Sequence, residues 1–299
     1  MIPVVLVTGF LGSGKTTFLK RQAARYRTRR IVYLVNDFAA VDVDGELVRR
    51  MGAQVVPISG GSIFCRCLVT DFIRVLRSLA HGEIGGGPPT GVVIEASGMA
   101  DPRVVHKMLQ ETQLDQVFTL RRILAVIDPG TFHKLCRTLP NIKAQVACAD
   151  TLLVSKVDRY DAAALVAVRA EAMAIQPAAA WVEMRHGEAE CDIWDPAPLP
   201  ATTGELAPCV DPNFHRFVVR DPIEGLEDFE RRVALSGEGL YRAKGFLHAG
   251  ERCYAVDASS SGIQHEECTG HPLPAPRLVC IVQGDRGAEI ERIWNAAAG

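Results

Sequence analysis

Short apolar runs, each closed by a small or acidic residue, constrain the fold of this chain more than any other feature of its sequence. A run of this kind, without polar alternation, is typical of a strand covered on both faces, as in a parallel sheet. Between the runs lie segments with helical apolar spacing, which predict helices such as 16–26, 71–81 and 162–173. Strand and helix in alternation predict an α/β domain with a doubly wound, mainly parallel sheet. The predicted strands are 4–7, 31–35, 91–95, 122–128 and 151–155.

Prolines crowd the stretch 195–212 and exclude a continuous helix or a central strand there. Beyond this stretch, short apolar strands surround a predicted helix at 226–236, which is typical of a small α+β domain. We therefore predict a sheet domain at 1–190, a linker at 191–212 and a C-terminal α+β domain at 213–299.

Charge and cysteine content exclude several classes of protein. With 33 Lys and Arg against 35 Asp and Glu, the formal net charge of −2 offers no long-range attraction for nucleic acid or an anionic membrane. The first apolar run, 2–11, is too short to span a bilayer, and no basic residue precedes it as in a signal peptide. The nine cysteines lack regular spacing, which indicates reduced thiols rather than a disulfide framework. We expect a cytoplasmic protein that binds neither nucleic acid nor membrane.

The strongest motif follows the first predicted strand directly. Its sequence, GFLGSGKTT at 9–17, matches G-x-x-x-x-G-K-[ST] between a strand and a helix. In such a P-loop, glycines let backbone N–H groups surround a phosphate, the Lys15 ammonium reaches the β and γ oxygens, and Thr16 ligates Mg²⁺. A chance glycine turn is the alternative, and the flanking strand and helix argue against it. The predicted phosphate-binding residues are Gly9, Gly12, Ser13, Gly14, Lys15, Thr16 and Thr17.

A second loop, Ser155-Lys156-Val157-Asp158, indicates which base is bound. The Asp158 carboxylate can accept hydrogen bonds from N1–H and N2–H₂ of guanine, donors that adenine does not offer, and the Lys156 stem can lie over the purine. The loop therefore predicts GTP. GTPases usually carry Asn-Lys-x-Asp, and Ser155 is too short to bridge loops as asparagine does, so we expect a lower affinity. A surface turn with a chance lysine and aspartate is the alternative, weakened by the presence of the P-loop.

A third segment, EASGMADP at 95–102, stands at the end of a predicted apolar strand. Glu95 would lie near the γ-phosphate and Mg²⁺, and Gly98 would allow a close backbone approach, as in a nucleotide-dependent switch. An acidic strand end by itself is more often a solvated turn than part of a metal site. The presence of the P-loop is therefore what supports a role for this segment in nucleotide binding.

Further segments follow these motifs in an order that runs nearly from end to end. The segments are VTGFLGSGKTT at 7–17, VND at 35–37, EASGMADP at 95–102, VID at 126–128, QVACADTLLVSKVD at 145–158 and YRAKGF at 241–246. They resemble the CobW-type GTPases, relatives of UreG, HypB and MeaB within the P-loop superfamily. The resemblance implies a GTP-hydrolysing domain followed by a CobW C-terminal domain, in proteins that deliver metals or support assembly of metal-containing enzymes and cobalamin.

The resemblance also implies roles for acidic residues in hydrolysis. Thr16 and an acidic partner would hold Mg²⁺, and either Asp37 or Glu95 is that partner or orients water; the family usually has Asn-Glu where this chain has Asn36-Asp37. Lys15, Asp37 and Glu95 are the predicted catalytic residues. Because no intrinsic arginine finger is recognisable, we expect slow turnover that a partner or a second copy in a homodimer would accelerate.

Members of that family carry Gly-Cys-x-Cys-Cys after the second strand, which implies a thiolate site for Zn²⁺ or Co²⁺. Here the segment reads GGSIFCRC at 60–67, so Ser62 and Phe64 stand at the first two cysteine positions, Cys65 at the third, and Cys67 is extra. Cys65 and Cys67 could bind a transition metal with ligands from elsewhere, or could be buried beside Phe64 in a core. HEECTGH at 265–271, in a predicted irregular loop, spaces further candidate ligands, with chance spacing as the simpler explanation.

Three functions remain open from the sequence. The first is a metallochaperone that couples the change between GTP and GDP to metal delivery. The γ-phosphate would order segments 37–42 and 65–71, and hydrolysis would release them. The second is a GTPase that activates or remodels a corrinoid or other metalloenzyme client without carrying metal. The third is a small-molecule P-loop kinase, which the Ser155–Asp158 loop and the absence of a recognisable acceptor lid disfavour.

Overall fold

The computed structural model describes residues 1–37, 48, 53–59, 62–66, 68–201, 203–206, 214–221, 223–259, 262–268 and 274–295, with Asp37 and Ser59 described as backbone only. The chain forms two compact units; among the described residues, 203–206 belong to the first unit and 214–221 to the second. The domain limits 1–190, 191–212 and 213–299 stay a prediction. No helix within the described ranges is long and apolar enough to cross a membrane.

A mainly parallel sheet forms the centre of the first unit. Its strands are β1 (Ile2–Thr8), β2 (Ile31–Asp37), β3 (Gln54–Ser59), β4 (Gly91–Glu95), β5 (Phe118–Ile127), β6 (Thr151–Val154), β7 (Ala180–Arg185) and β8 (Glu188–Ala189). They lie in the order β3-β2-β4-β1-β5-β6-β7-β8, and each neighbouring pair is parallel except β7 with β8. The chain winds outward in both directions from β1, so the prediction of a doubly wound, mainly parallel sheet is confirmed.

Burial explains why the central strands read as unbroken apolar runs. Every residue of β4 and of β6 is buried, as are residues 4–8 of β1. The five predicted strands are all present. Two further strands, β3 and β7, were not predicted. β3 contains Pro57 and pairs only with β2 among the described strands, and β7 mixes buried and exposed positions. Both lie toward the margins of the sheet, where one-sided burial weakens the apolar signal.

Helices connect the strands of this sheet. They are α1 (Lys15–Arg25), α2 (Val69–Ala80), α3 (Val105–Glu111), α4 (Pro129–Thr138), α5 (Pro140–Ala147) and α6 (Ala162–Ile175). The predicted helices 16–26, 71–81 and 162–173 agree with α1, α2 and α6 to within two residues at each end. Aspartate caps mark two helix starts, since Asp128 accepts from Gly130 N and Asp161 accepts from Ala164 N.

The segment after β8 is fixed to the sheet by a buried arginine of β5. Arg122 Nε lies 2.7 Å from Asp150 Oδ1, and Arg122 Nη1 donates to the backbone oxygens of Asp192 and Asp195, each at 3.1 Å. Ile193, between them, is wholly buried. Residues 191–195 are therefore packed against the first unit.

The second unit contains an antiparallel sheet and two helices. Its elements are β9 (Phe214–Val218), α7 (Leu226–Ser236), β10 (Leu240–Ala249), β11 (Arg252–Ser259), β12 (Gly262–Glu267), β13 (Arg277–Gln283) and α8 (Gly287–Trp294). The strands lie in the order β12-β11-β10-β13-β9. Phe229 of α7 and Trp294 of α8 are fully buried, with ring centroids 5.8 Å apart. The prediction of a small C-terminal α+β domain is confirmed.

One local prediction in this unit is wrong. The segment from His265 was expected in an irregular loop, but residues 265–267 form the end of β12, and Cys268 N continues the contact by donating to Cys253 O at 2.8 Å. Every residue of β12 is exposed, so the strand lacks the apolar side chains that would reveal it in the sequence. His271 lies outside the described residues.

Candidate phosphate and guanine site

The P-loop connects β1 to α1 through a backbone path that requires glycine. Gly9, Gly12 and Gly14 have φ of 137°, 74° and 104°, a region that other L-residues rarely adopt. A Cβ on Gly9 would also collide with Val126 O of β5. The loop therefore lies tightly against the sheet, with its amides free of side-chain obstruction at these positions.

Lys15 is the first residue of α1, and its ammonium curls back over the loop. The Nζ atom donates to Gly9 O at 2.7 Å and to Phe10 O at 3.1 Å, and the side chain is buried. The neighbouring Ser13 Oγ is buried without a hydrogen-bond partner in the described part of the chain. A cation and an unused hydroxyl inside a curled loop fit an anionic group such as a phosphate.

Two oxygen atoms suited to Mg²⁺ lie beside this loop. Thr16 Oγ1 donates to Glu95 Oε1 at 3.5 Å, so the hydroxyl at the start of α1 faces the carboxylate at the end of β4. Both residues are buried. Hydroxyl and carboxylate oxygens are the hard ligands that Mg²⁺ takes, and this pair fits that ion. Asp37 is the last residue of β2, the strand next to β4 in the sheet, and only its backbone is described.

The predicted switch segment follows Glu95 and presses on the P-loop. A Cβ on Gly98 would lie 2.6 Å from Leu11 N, so only glycine permits this approach without displacement. From the other side, Gln145 Nε2 of α5 donates to Gly98 O at 3.1 Å and to Ala100 O at 2.9 Å, and Asn141 Nδ2 donates to Met99 O at 3.1 Å. Side chains of α5 therefore hold the segment against the loop.

Lys156 ties the base-recognition loop to the P-loop. Its Nζ donates to Gly12 O at 2.8 Å and lies 2.7 Å from Asp128 Oδ2, with the aspartate almost completely buried. The lysine itself has φ of 55°, the left-handed region. The structure thus brings together Gly12 of the first motif and Lys156 of the second, which lie 144 positions apart in the sequence.

Asp128 carries more contacts than the ion pair with Lys156. Its Oδ1 accepts from Tyr160 O–H at 3.0 Å and from Gly130 N at 3.1 Å. Burial, with a further contribution from Asp128, raises the pKa of Tyr160 to about 12. The tyrosine is therefore a neutral donor at ordinary pH, and the aspartate is fixed from three directions.

The other members of the base-recognition loop differ in exposure. Ser155 is buried, and its hydroxyl donates to Ile127 O at 3.2 Å, so it does not bridge loops as an asparagine would. Asp158 is exposed at the surface of the loop. An exposed carboxylate near a tethered lysine is the arrangement expected for a base that binds from solvent.

The segment GGSIFCRC at 60–67 is called the cysteine segment here, and its described residues form a tight turn ahead of α2. Cys65 N donates to Ser62 O at 3.0 Å, and Phe64 N donates to Ser62 Oγ at 3.1 Å. Phe64 is fully buried with its ring centroid 6.1 Å from that of Phe72, and Cys65 is 4% exposed. Ser62 therefore holds the turn through its hydroxyl. Cys67 lies outside the described residues, and within them no group of three or more His, Cys, Asp or Glu side chains could hold a metal.

Asn36, at the end of β2, contacts three backbone segments at once. Its Oδ1 accepts from Ile63 N at 3.0 Å and from Ser97 N at 3.2 Å, and its Nδ2 donates to Ile58 O at 2.9 Å. The side chain is buried. One carboxamide thus joins the cysteine segment, the switch segment and β3.

The sequence of this chain matches one protein-family model over most of the first unit. The model described as CobW/HypB/UreG, nucleotide-binding domain, matches residues 3–183, more than half of the chain. The chain belongs to the CobW/HypB/UreG family. Membership confirms the predicted resemblance, and the matched range contains residues 9–17, 95–102 and 155–158.

Two zinc chaperones and one solved structure are similar to this chain. Zinc chaperone CobW of Pseudomonas aeruginosa is 30% identical over 235 residues, which cover 68% of this chain and 60% of that relative. Zinc chaperone YeiR of Escherichia coli K12 is 28% identical over 248 residues, which cover 81% of this chain and 73% of that relative. The crystal structure of zinc-bound YjiA GTPase from Escherichia coli shares the fold, with TM-score 0.50 at 20% identity over 98% of this chain and 97% of that one. The match to the Pseudomonas relative therefore spans less than two thirds of that protein.

Several residues that hold the candidate site together had no predicted role from the sequence. They are Asn36, Asp128, Gln145 and Tyr160. A signal existed for Asn36 and Asp128, because each is a polar residue at the carboxyl end of a buried parallel strand, where ligands bind in such sheets. No comparable signal marks Gln145 or Tyr160, whose roles depend on which loop each side chain reaches.

Proposed function

We propose that this chain binds and hydrolyses GTP and couples its nucleotide state to the delivery of zinc. The observation that carries the proposal is Lys156, whose ammonium joins Gly12 of the P-loop to Asp128 beneath the base-recognition loop. This contact fixes the distance between phosphate-binding and base-binding elements in advance of the ligand. A site prepared in this way loses less freedom when GTP binds.

In the proposed mechanism, Lys15 exchanges its two carbonyl contacts for phosphate oxygens, and the loop amides surround the β-phosphate. Thr16 and Glu95 would hold Mg²⁺, which would neutralise charge on the phosphates, with Asp37 as the alternative acidic partner or the residue that orients water. Arg103, directly after the switch segment, is engaged by Asp101 through bonds from Nε at 3.0 Å and 3.1 Å. Because that guanidinium is occupied, we expect slow turnover, about 10⁻⁴ to 10⁻² s⁻¹, until a partner or second copy assists.

Guanine preference is assigned to Asp158. Its exposed carboxylate offers two acceptors to N1–H and N2–H₂ of guanine, whereas adenine presents a donor and an acceptor in other positions. Calorimetric titration with GTP and ATP tests this assignment. Asp158→Asn should lose preference for GTP and gain it for xanthosine triphosphate, because the xanthine C2 carbonyl can accept from the new amide. Equal GTP affinity in Asp158→Asn would overturn the assignment.

Phosphate binding by Lys15 is tested in the same titration. Lys15→Met should weaken GTP binding about 30-fold or more, since it removes a buried cation from a triphosphate. Lys107→Met is the matched control, because Lys107 is an exposed lysine of α3 paired only loosely with Glu111 at 3.7 Å. Unchanged GTP binding in Lys15→Met would exclude the proposed site.

Zinc enters the proposal as cargo, supported by the zinc chaperones to which the chain is similar. Cys65 and Cys67 are the thiolate ligands available in the cysteine segment, and Co²⁺ is the alternative ion. Zinc requires about four ligands, so a client metalloenzyme, a corrinoid protein or a second copy would complete the coordination during transfer.

A second function is favoured by the same segment. Ser62 uses its hydroxyl to hold the turn, and Phe64 is fully buried against Phe72, so two of the family's three cysteine positions are structural here. A GTPase that remodels its client without carrying metal would need no more than this.

Metal analysis separates the two functions. The purified protein is equilibrated with Zn²⁺ in GDP and in a non-hydrolysable GTP analogue, and bound zinc is measured after dialysis. Stoichiometric zinc that changes with nucleotide and is lost in Cys65→Ala, but not in Cys136→Ala, supports delivery; Cys136 is a buried cysteine of α4 and serves as the control. No nucleotide-dependent zinc supports client remodelling.

A further inference from the structure

Asn36 occupies a position that the proposed function leaves unexplained. It is the next-to-last residue of β2, which lies between β3 and β4 in the sheet, and its side chain is 3% exposed. A buried carboxamide is costly unless its donors and acceptor are used, and here Nδ2 and Oδ1 bond to backbone groups of Ile58, Ile63 and Ser97. These three contacts therefore depend on the course of the chain.

The hydrogen bonds also fix the orientation of the carboxamide. Two N–H groups, of Ile63 and Ser97, converge on Oδ1, while the carbonyl of Ile58 faces Nδ2. Rotating the group by half a turn would place a donor against two donors and an acceptor against an acceptor. The side chain can thus serve both N–H groups in one orientation only.

The two N–H donors lie in different segments of the chain, one beside the P-loop and one beside Cys65. Ser97 lies two residues after Glu95 and directly before Gly98, in the segment that faces the P-loop. Ile63 lies two residues before Cys65, in the turn that Ser62 closes by accepting from Cys65 N at 3.0 Å. Movement of Ile63 would therefore carry Cys65 with it.

We propose that Asn36 is the positioning residue through which the nucleotide-facing segment 95–101 controls the geometry of the cysteine segment 62–65. The link to zinc rests on the proposed function. When a γ-phosphate draws the Ser97 backbone toward the P-loop, the shared Oδ1 either follows it or loses that bond. In both cases the bond to Ile63 changes, because the two N–H groups share one oxygen atom and its position sets the geometry of both bonds.

A residue that only stabilises the fold would behave differently, and Asn141 supplies the comparison. Asn141 Nδ2 donates to Met99 O at 3.1 Å, so it also anchors the switch segment, but from α5 and with no hydrogen bond to the described residues of the cysteine segment. Loss of either asparagine should loosen the switch segment. Only loss of Asn36 should disconnect it from Cys65.

The first test measures the zinc affinity of the full chain with GDP and with a non-hydrolysable GTP analogue. In the unaltered chain we expect the two dissociation constants to differ by about 5- to 150-fold. Asn36→Ala should reduce the ratio below about 2-fold, while Asn141→Ala should leave it within about 2-fold of the original. Asn36→Asp keeps the oxygen that accepts from Ile63 N and Ser97 N but turns a second oxygen toward Ile58 O, so it should restore only part of the ratio. A ratio retained in Asn36→Ala, or lost equally in Asn141→Ala, overturns the proposal.

The second test needs neither zinc nor a variant. Amide hydrogen exchange, resolved by NMR, is compared between the GDP form and the analogue form of the unaltered protein. The Ile63 and Ser97 amides should change protection together, whereas the Ala96 amide, bonded to Val7 O at 2.9 Å in the sheet, should not. A change at Ser97 without one at Ile63 overturns the inference. Absence of zinc binding with linked exchange at both amides overturns only the zinc part of the proposed function.

Discussion

The contact between Lys156 and Asp128 makes a sharp test of how the guanine site is prepared. In the structure, Asp128 accepts from Lys156 Nζ at 2.7 Å, from Tyr160 O–H at 3.0 Å and from Gly130 N at 3.1 Å. Asp128→Asn keeps the size of the side chain but removes its charge, and one of its two acceptor atoms becomes a donor. The ammonium would then lack its ionic partner while still bonded to Gly12 O.

The expected magnitude follows from burial. Exposed ion pairs contribute about 0–1 kcal/mol, and breaking a fully buried pair costs about 3–5 kcal/mol. Here the aspartate side chain is 2% exposed and the lysine side chain 13%, so the ammonium can recover part of its solvation. We therefore expect Asp128→Asn to destabilise the binding-competent conformation of the loop by about 2 kcal/mol. If that conformation becomes correspondingly less populated, GTP binds roughly 30-fold more weakly.

Calorimetric titration of GTP into the wild type and the variants measures this effect. Tyr160→Phe removes a single O–H donor from the same carboxylate, so it should weaken binding less, by about 5-fold. Asp161 caps α6 at an exposed position, just after the base-recognition loop, and has no ion pair with Lys156. Asp161→Asn also removes one charge, but it should change GTP affinity by no more than about 2-fold. GTP affinity within 2-fold of wild type in Asp128→Asn would refute the claim that this pair prepares the site.

Three further predictions concern the same unit. Gly98→Ala should weaken GTP binding and destabilise the chain by about 1–3 kcal/mol in urea unfolding, because the new methyl would meet Leu11 N; wild-type values in both assays would exclude that contact. Arg122→Met should cost about 3–5 kcal/mol by leaving its aspartate partner buried without a cation, against less than about 1 kcal/mol for the neighbouring Arg121→Met. Because the pKa of Tyr160 is raised to about 12 from 10.0, its neutral form is favoured by folding, so its contribution to stability is present below pH 10 and lost as the pH rises through 12; phenolate absorbance in Tyr160→Phe and wild type should differ only in that upper range.

Much of the nucleotide site could be predicted from single motifs. The phosphate loop is a continuous stretch whose glycines have one purpose, so reading GFLGSGKTT was enough to place Lys15 and Thr16. Glu95 was placed by a local rule as well, since it ends a buried parallel strand and so lies at the sheet edge where ligands bind. The structure brings Thr16 and Glu95 together, whereas the sequence left either Asp37 or Glu95 as the acidic partner of Thr16.

The sequence by itself determined the doubly wound sheet, the family and the chemistry of the phosphate loop, because each is written in apolar periodicity or in one contiguous motif. Tertiary structure alone decided that Lys156 reaches Gly12, that Asp128 holds Lys156, and that Asn36 joins Ser97 to Ile63. These contacts connect residues that are tens of positions apart, and a side chain's partner there depends on the order of strands in the sheet. Strand order is set by how all the apolar surfaces pack together, so no local stretch of sequence contains it.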